Sequence, residues 1–265
     1  MSPPPPISSA IPRAALVTGG AKRLGRAIAL ALAGAGFDVA VHYGSSEMEA
    51  EETAGEIRAL GRRAATLPAD LTREEEVAPL LAAAEAALGA GPFGVLVNNA
   101  SAFERDEWHD TTREGWDRHL EANLRAPFVL IQAFARALPP DAEGVVVNML
   151  DQRVWSLTPH FVSYSVSKAG LWALTQSMAL ALAPRRIRVN GIGPGPAMRS
   201  PRQTEEQFAR QCASVPLGRG TGPEEIARAV LAILTLPAMT GQMIALDGGQ
   251  HLQWSPAGRA EPLPE

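Results

Sequence analysis

The sequence predicts a single doubly wound α/β domain, with a mainly parallel sheet of about seven strands and helices on both faces. Short apolar runs typical of buried strands recur along the chain, and helical periodicity separates most of them. The first run ends in a glycine-bearing turn that opens a helix. Alternating strands and helices at this spacing require crossover connections, which give parallel strands covered on both faces. The predicted strands are residues 14–18, 37–42, 64–68, 93–98, 144–149, 187–192 and 243–246.

The composition is that of one soluble domain. A chain of 265 residues can bury a sizeable core in a single α/β domain, and 46% of its residues are hydrophobic. The net charge of −4 gives no basic field for nucleic acid. Cys212 is the sole cysteine, so no intrachain disulfide is possible. With no signal-like segment and no membrane-length apolar run, we expect a cytoplasmic protein without membrane contact.

Three regions are predicted along the chain. Residues 1–11 are rich in proline and serine and suit neither a helix nor a central strand, so we expect a disordered leader. Residues 12–252 form the α/β domain. Residues 253–265 contain three prolines and are predicted to be an irregular tail.

The turn after the first strand is predicted to bind a phosphate. It contains Gly19, Gly20 and Gly25 together with Lys22 and Arg23. A strand, a glycine-bearing turn and a helix in that order direct backbone N–H groups and the positive helix end at an anion. Glycines in such a turn also have a purely steric explanation, so the pattern alone is a weak signal.

Tyr164 and Lys168 are a candidate catalytic pair. They stand four residues apart on a predicted helix and therefore lie one turn apart on the same face. A tyrosine with an ordinary pKa near ~10 is a poor acid at neutral pH, and a fixed cation beside it favours the phenolate and eases proton transfer. Taken alone, such a pair is more often part of a solvated helix face.

Several short sequence motifs, taken in their order along the chain, resemble those of the short-chain dehydrogenase/reductase family over residues 12–252. The motifs are Thr18 to Gly25, Asp70-Leu71, Asn98-Asn99-Ala100, Asn123, the Tyr164/Lys168 pair, Arg188-Val189-Asn190, Pro194-Gly195 and Asp247-Gly248-Gly249. Details similar to the pteridine reductases in particular are Arg23 at the middle-glycine position of the first turn, His42-Tyr43, residues 99–103 and residues 148–151.

The resemblance implies a Rossmann-type fold, a nicotinamide dinucleotide cofactor and a homotetramer. It implies that Asn123, in a helix predicted over residues 112–137, holds a proton-relay water next to Lys168. Asp70 is implied at the adenine edge, although an Asp before a helix is also a common N-cap. It implies no metal ligands. The implied cofactor-binding residues are Gly19, Lys22, Arg23, Leu24, Gly25, His42, Tyr43, Ser45, Ser46, Asp70, Leu71, Asn99, Ala100, Ser101, Met149, Tyr164, Lys168, Pro194 and Gly195.

The expected cofactor is NADP(H). NAD-binding enzymes of this fold place a carboxylate after the second strand, on the ribose 2′-hydroxyl. Residues 42–46 contain no acid, and Lys22, Arg23, Ser45 and Ser46 are suited to surround a 2′-phosphate instead. Ser46 has a second interpretation, since Ser46-x-x-Glu49 is a capping box.

Asp151 is the main departure from the family pattern. Most members have a catalytic serine thirteen residues before the tyrosine, where this chain has Asp151. A carboxyl group accepts hydrogen bonds when charged and donates one when protonated, so it can help deliver a proton to a ring nitrogen, whereas a serine mainly polarises a ketone oxygen. In pteridine reductases, the equivalents of Ser101 and Phe103 hydrogen-bond to and stack on the pterin. Asp151 as an exposed strand-end residue and Phe103 as a core residue are the alternatives.

The expected activity is an NADPH-dependent reduction of a C=N bond in a pterin-like small molecule. Tyr164 donates the proton, and Asp151 assists this proton transfer. Lys168 favours the phenolate of Tyr164 and binds the cofactor ribose. Asn123 holds the proton-relay water. The predicted substrate-binding residues are Ser101, Phe103, Asp151 and Tyr164. A carbonyl reductase of ketones and a non-catalytic NADPH-binding sensor are the alternatives.

Two further segments have predicted roles. The apolar helix of residues 171–182 is a candidate subunit interface, because it has more large side chains than one buried stripe requires. Residues 198–220 should cover the substrate, and they are predicted to be an irregular loop.

Overall fold

The computed structural model describes residues 6–200 and 202–253 and has the predicted doubly wound architecture. Within these residues, seven strands form one sheet in the order β3-β2-β1-β4-β5-β6-β7, and every neighbouring pair is parallel. Each predicted strand is present, with ends shifted by at most two residues. The strands are β1 (Ala14–Val17), β2 (Asp38–Tyr43), β3 (Ala64–Pro68), β4 (Val95–Asn98), β5 (Gly144–Met149), β6 (Ile187–Pro194) and β7 (Met243–Leu246).

Helices connect the strands and cover both faces of the sheet. The helix predicted over residues 112–137 is present, but a π-helical turn, Glu121–Arg125, interrupts it and contains Asn123. Such turns are rare in proteins, and those that occur are often found at functional sites. The helices are α1 (Arg23–Gly34), α2 (Glu47–Ala59), α3 (Glu74–Val77), α4 (Leu80–Leu88), α5 (Arg113–Leu120), α6 (Ala126–Ala137), α7 (Val162–Leu182), α8 (Glu205–Ser214) and α9 (Pro223–Leu234).

Apolar side chains cover both faces of the sheet, as a buried parallel sheet requires. In β1, Ala15 and Val17 pack with α1 and α9 on one face, while Ala14 and Leu16 pack with α4 and α6 on the other. The strand order reverses between β1 and β4, which leaves a crevice at their carboxyl ends. In the described ranges, no helix is both long enough and apolar enough to cross a bilayer.

Residues 6–11 belong to the fold, so the prediction of a disordered leader is wrong for them. Ile11 is 2% exposed within the core, and Ile7 packs against the same core. The carbonyl of Ala10 accepts a hydrogen bond from the N–H of Glu143 at 2.9 Å. Two apolar anchors therefore hold a segment whose prolines and serines prevent regular structure. The rest of the leader, residues 1–5, and residues 254–265 of the predicted tail lie outside the described residues.

The segment of residues 198–220 contains a helix, α8, so the prediction of an irregular loop is wrong for residues 205–214. Thr204 Oγ1 accepts from the N–H of Gln207 at 3.2 Å, and Gln207 Oε1 accepts from the N–H of Thr204 at 2.8 Å. This reciprocal capping box starts the helix. The Thr-x-x-Gln signal for it is present in the sequence.

Candidate active site

A cavity of about 240 Å³ opens at the carboxyl ends of the central strands. It extends from the first turn to α7, and residues from α8 cover it. The predicted site residues that line it are Arg23, Leu24, Asn99, Ser101, Phe103, Met149, Asp151, Tyr164, Lys168, Pro194 and Gly195. Those outside its lining are Gly19, Lys22, Gly25, His42, Tyr43, Ser45, Ser46, Asp70, Leu71, Ala100 and Asn123.

The first turn has the geometry of an anion-binding turn. Gly19 has φ 60°, which favours glycine, and a Cβ on Gly25 would collide with the carbonyl oxygen of Gly19, so glycine is required at position 25. Lys22 stands at the N-cap of α1 but provides no side-chain cap, and the first turn of α1 contains no acidic residue. The N–H groups at this helix end are therefore available to an anion.

Arg23 occupies the middle-glycine position and has φ 56°, in the left-handed region that favours glycine. Its guanidinium donates to the carbonyl of Arg199 at 2.9 Å and to that of Met198 at 3.4 Å. The first turn is thereby connected to the segment that leads into α8. A non-glycine residue at a strained position that lines a cavity is typical of a functional site.

His42 supports the first turn from behind. Its buried ring accepts the N–H of Gly19 at Nδ1 (3.1 Å), and its Nε2 lies 3.0 Å from the carbonyl oxygen of Ala69. Because Nδ1 accepts, Nε2 carries the proton and donates, which is the neutral tautomer. Burial lowers the pKa of His42, in agreement with a neutral ring. The ring of His42 therefore orients the turn.

Ser45 and Ser46 follow β2 near the first turn. Ser46 stands at the N-cap of α2, but its side chain makes no capping hydrogen bond, so the capping-box interpretation is wrong. The carboxylate of Glu49 lies 4.0 Å from Lys22 Nζ instead, which brings the start of α2 beside the first turn. Ser45 is exposed, whereas Tyr43 is buried in the core on the α1 side.

Asp70 forms a turn after β3 and does not cap a helix. Its Oδ1 accepts from the N–H of Thr72 at 2.9 Å and from Thr72 Oγ1 at 2.8 Å. These bonds lower the pKa of Asp70. The N-cap of α3 is Arg73, so the N-cap interpretation of Asp70 is wrong. Asp70 is exposed, and Leu71 is buried in the core on the α4 side.

Thr18 and Asn99 join the carboxyl ends of β1 and β4. Asn99 Nδ2 donates to the carbonyls of Thr18 (2.9 Å) and Gly19 (3.1 Å). Thr18 Oγ1 accepts from the N–H groups of Asn99 (2.9 Å) and Ala100 (3.0 Å). These bonds satisfy backbone groups that the strand ends would otherwise leave unpaired. They fix the floor of the crevice where the strand order reverses.

Tyr164, Lys168 and Asp151 lie together in the cavity. Tyr164 Oη donates to Asp151 Oδ2 at 2.9 Å, and Lys168 Nζ donates to the carbonyl of Met149 at 2.8 Å. Lys168 Nζ is 5.7 Å from the centre of the Tyr164 ring. Burial lowers the pKa of Lys168 to about 8, although the charge of Asp151 opposes this shift. Both α7 residues are buried and the Asp151 side chain is 13% exposed, so neither a solvated helix face nor an exposed strand end describes them.

A buried polar chain fixes α7 against the sheet. Asn98 Nδ2 donates to Asn148 Oδ1 at 2.8 Å, and Asn148 Nδ2 donates to Thr175 Oγ1 at 2.9 Å. Buried hydrogen bonds of this kind favour one arrangement of the elements that they join. The helix that contains Tyr164 and Lys168 therefore has a defined position relative to β4 and β5.

Asn123 joins the segment after β4 to α7. Its Oδ1 accepts from the N–H of Ala102 (2.8 Å) and from Ser101 Oγ (3.2 Å). Its Nδ2 donates to the carbonyl of Ala102 (2.9 Å) and to Ser167 Oγ (3.0 Å). These four bonds use the hydrogen-bonding capacity of the side chain. The π-helical turn sets the position of the Asn123 backbone.

Phe103 forms an aromatic wall of the cavity. It is 38% exposed, so the core-packing interpretation is wrong. Its ring stacks on Phe161 with centres 4.9 Å apart and meets the ring of Tyr164 edge-on at 4.8 Å. Phe161 has φ 57°, so this wall includes a second strained residue.

Arg153 lines the cavity and was not predicted. It is 7% exposed, and its Nη1 lies 3.2 Å from Asp151 Oδ2. Phe208 and Gln211 of α8 also line the cavity without having been predicted. Nothing in the sequence around Arg153 distinguishes it from the surface arginines, whereas the capping box at Thr204 was a usable signal for α8.

The turn after β6 approaches the cavity through Pro194 and Gly195. The N–H of Gly195 donates to the carbonyl of Leu246 at 3.0 Å, and a Cβ on Gly195 would collide with Asp247. Over the residues for which the structure gives positions, no group of three His, Cys, Asp or Glu side chains is placed to hold a metal ion.

Comparison with known proteins agrees with this geometry. Residues 19–251 match the family model described as enoyl-(acyl carrier protein) reductase. The chain belongs to the short-chain dehydrogenase/reductase family. Two similar solved structures are those of FolM alternative dihydrofolate reductase 1, each in complex with NADP. The Brucella canis structure is 44% identical, with a TM-score of 0.89 over 96% of this chain and all of that one. The Brucella suis structure is 46% identical, with a TM-score of 0.87 over 93% and 98%.

A curated relative points to a different substrate class within the family. The chain is 34% identical over 245 residues to 3beta-hydroxysteroid dehydrogenase 1 of Eggerthella lenta, covering 89% of this chain and 93% of the relative. Membership in the short-chain dehydrogenase/reductase family therefore establishes an oxidoreductase and leaves the substrate to be argued from the site.

Proposed function

We propose that this enzyme uses NADPH to reduce a C=N bond in a pterin-like substrate of the dihydropterin or dihydrofolate class. The observation that supports this is the contact between Asp151 Oδ2 and Tyr164 Oη at 2.9 Å, inside a cavity walled by Phe103. A carboxylate there accepts hydrogen bonds from ring N–H and amino groups, which a ketone lacks. The similarity to the FolM reductases supports the same substrate class.

The residues present fit a dinucleotide cofactor. The uncapped start of α1 and the glycines at positions 19 and 25 suit a pyrophosphate, and Lys22, Arg23, Ser45 and Ser46 suit a 2′-phosphate. The neighbouring cavity, between Pro194 and Lys168, suits the nicotinamide end. When bound, NADPH supplies the hydride.

The chain supplies the proton and the orientation. Tyr164 gives its phenolic proton to the ring nitrogen as hydride reaches the adjacent carbon, so the C=N bond becomes CH–NH. The resulting phenolate is stabilised by the charge of Lys168, and solvent returns the proton. In this proposal, the backbone of Asn123 holds the proton-relay water next to Lys168. Phe103 stacks on the substrate ring, and Ser101 Oγ accepts a hydrogen bond from it, because the hydroxyl proton is directed at Asn123 Oδ1.

A ketone-reducing enzyme is the second candidate, and the steroid dehydrogenase relative favours it. A ketone gains from a hydroxyl that polarises its oxygen, and Asp151 provides none when it is a carboxylate. A non-catalytic sensor is disfavoured, because Asn123, Tyr164 and Lys168 are all present and assembled.

The substrate class is tested by NADPH oxidation with two panels of substrates. The wild type should reduce dihydropterins or dihydrofolate, and it should be much less active on simple ketones and ketosteroids. Activity on ketones alone would make a general carbonyl reductase the better assignment. Reactions without substrate provide the control for cofactor oxidation by oxygen.

The cofactor preference gives a second prediction. NADPH should bind at least ~10-fold more tightly than NADH, or about 1.4 kcal/mol, because residues 44–46 directly after β2 contain no carboxylate and two cations lie in the first turn. Fluorescence titration of both cofactors measures this difference. Equal or inverse affinities would contradict it, and raised salt should narrow the gap because exposed charges are screened.

The proposed assembly is a cytoplasmic homotetramer with α7 in a subunit interface. Leu180 on α7 is 81% exposed and Val166 is 43% exposed, which suits a helix that meets another subunit. Sedimentation at micromolar concentration should give a tetramer, and Leu180→Glu should give smaller species. A wild type that sediments as a stable monomer would contradict the proposal.

A further inference from the structure

Asp151 accepts three hydrogen bonds, and two of them come from one residue. The N–H of Arg153 donates to Oδ1 at 2.8 Å, and its Nη1 lies 3.2 Å from Oδ2. Tyr164 Oη donates to Oδ2 at 2.9 Å. Three donors directed at one carboxyl group match a carboxylate, which only accepts, and not a carboxylic acid, which must donate one bond itself.

The fold holds Arg153 in place from two sides. Its guanidinium carbon lies 5.2 Å from the centre of the Phe161 ring and 6.0 Å from that of Phe103. These distances are those of cation–π contacts. The short 3-10 turn Gln152–Val154, which Asp151 itself caps, brings the Arg153 side chain back towards the strand end. Asp151 and Arg153 therefore form one rigid unit inside the cavity.

A buried guanidinium needs such partners. The Arg153 side chain is 8% exposed, and removing an arginine from water is costly unless a carboxylate and further contacts compensate. The planar fork of arginine also fixes the orientation of a carboxylate better than the flexible ammonium of lysine does. These properties suit a residue that sets the direction of the Asp151 carboxyl group.

We propose that Arg153 is a positioning residue that holds Asp151 oriented towards Tyr164 and the substrate. The inference rests on the proposed function, in which Asp151 takes part in reduction. With Arg153 in place, Asp151 accepts from Tyr164 and from N–H groups of the substrate ring, and Tyr164 alone delivers the proton. Without the guanidinium, Oδ2 keeps only the Tyr164 bond, and the carboxylate is able to rotate.

A double-mutant cycle tests this coupling. Wild type, Arg153→Met, Asp151→Asn and the double variant are assayed for kcat on whichever panel substrate the wild type reduces. Arg153→Met should lower kcat at least ~10-fold in the wild-type background and less than ~2-fold in the Asp151→Asn background. The reason is that the carboxylate on which Arg153 acts is absent from the second background. Equal losses in both backgrounds would overturn the proposal.

Matched variants separate positioning from packing. Arg105→Met removes an arginine that lies 5.9 Å over the same Phe161 ring and pairs with Glu107, so it should leave kcat within ~2-fold of wild type. The affinity for NADPH should stay within ~2-fold in all variants. If Arg153→Met does not fold, Arg153→Lys replaces it in both backgrounds, and a loss that is the same in both again overturns the proposal. A wild type active only on ketones would contradict the proposed function. The double-mutant cycle, measured with a ketone substrate, would still test the coupling between Arg153 and Asp151.

Discussion

Tyr164→Phe should lower kcat by at least ~100-fold while the fold and NADPH binding survive. The ring is buried, meets Phe103 edge-on at 4.8 Å, and presents its hydroxyl to Asp151. Phenylalanine keeps the ring packing and removes only the group that gives the proton. Steady-state kcat with a reducible panel substrate measures the effect, and circular dichroism checks the fold. A variant with near-normal kcat would end the assignment of Tyr164 as the donor.

Lys168→Ala should cause a loss of the same order, at least ~100-fold in kcat. Lys168 Nζ lies 5.7 Å from the centre of the Tyr164 ring, and we expect its charge to stabilise the phenolate. Lys168→Met fills a similar volume without charge, so it should be as inactive as Lys168→Ala. A Met variant that restored kcat would show that packing, and not charge, is the contribution of Lys168.

The pH dependence of kcat should follow the same lysine. Burial lowers the pKa of Lys168 to about 8, so its charged fraction falls as the pH rises through that value. Reduction needs the charged lysine and a protonated Tyr164, and wild-type kcat should therefore decrease above pH about 8. This decrease in kcat at high pH should be absent from the Lys168→Met variant.

The fold was predictable because its signals are local and repeated. The strand β5, Gly-Val-Val-Val-Asn-Met, is apolar on both faces and buried throughout, so periodicity identifies it without any tertiary information. The leader was mispredicted for the opposite reason. Ile7 and Ile11 are anchored only by packing against distant strands and helices, and the local prolines and serines indicate disorder.

The candidate site likewise has residues that the sequence predicts and residues that it does not. Tyr164 and Lys168 share a helix face, and Asp151 lies two residues after the end of β5, so their approach follows from short-range geometry and parallel topology. The support provided by His42 joins residues 23 and 27 positions away, and no spacing in the sequence reveals it. Arg153 is similar, because the role proposed for it depends on burial beside the stacked rings of Phe103 and Phe161, which no local sequence pattern reveals.

Asp151→Ser should lower kcat towards dihydropterin- or dihydrofolate-like substrates by about 100-fold or more and raise the activity towards simple ketones. A serine hydroxyl is shorter and has one oxygen, so it does not reproduce the three hydrogen bonds that the two carboxylate oxygens accept from Arg153 and Tyr164. It does offer a donor that polarises a carbonyl oxygen. NADPH oxidation against the pterin and ketone panels, with Asp151→Asn as the isosteric neutral control, measures both effects.

The substitution also leaves the buried charge of Arg153 without its carboxylate, which costs about 3–5 kcal/mol of stability when a buried pair is broken. Rates must therefore be expressed per folded enzyme, and the Asp151→Ser/Arg153→Met variant removes the buried guanidinium while keeping the new hydroxyl. If Asp151 determines the substrate class, this double variant should show the same shift from pterins to ketones with a higher melting temperature than Asp151→Ser alone. Unchanged pterin activity in both variants would mean that Asp151 does not select the substrate. That result would favour the assignment as a ketone reductase.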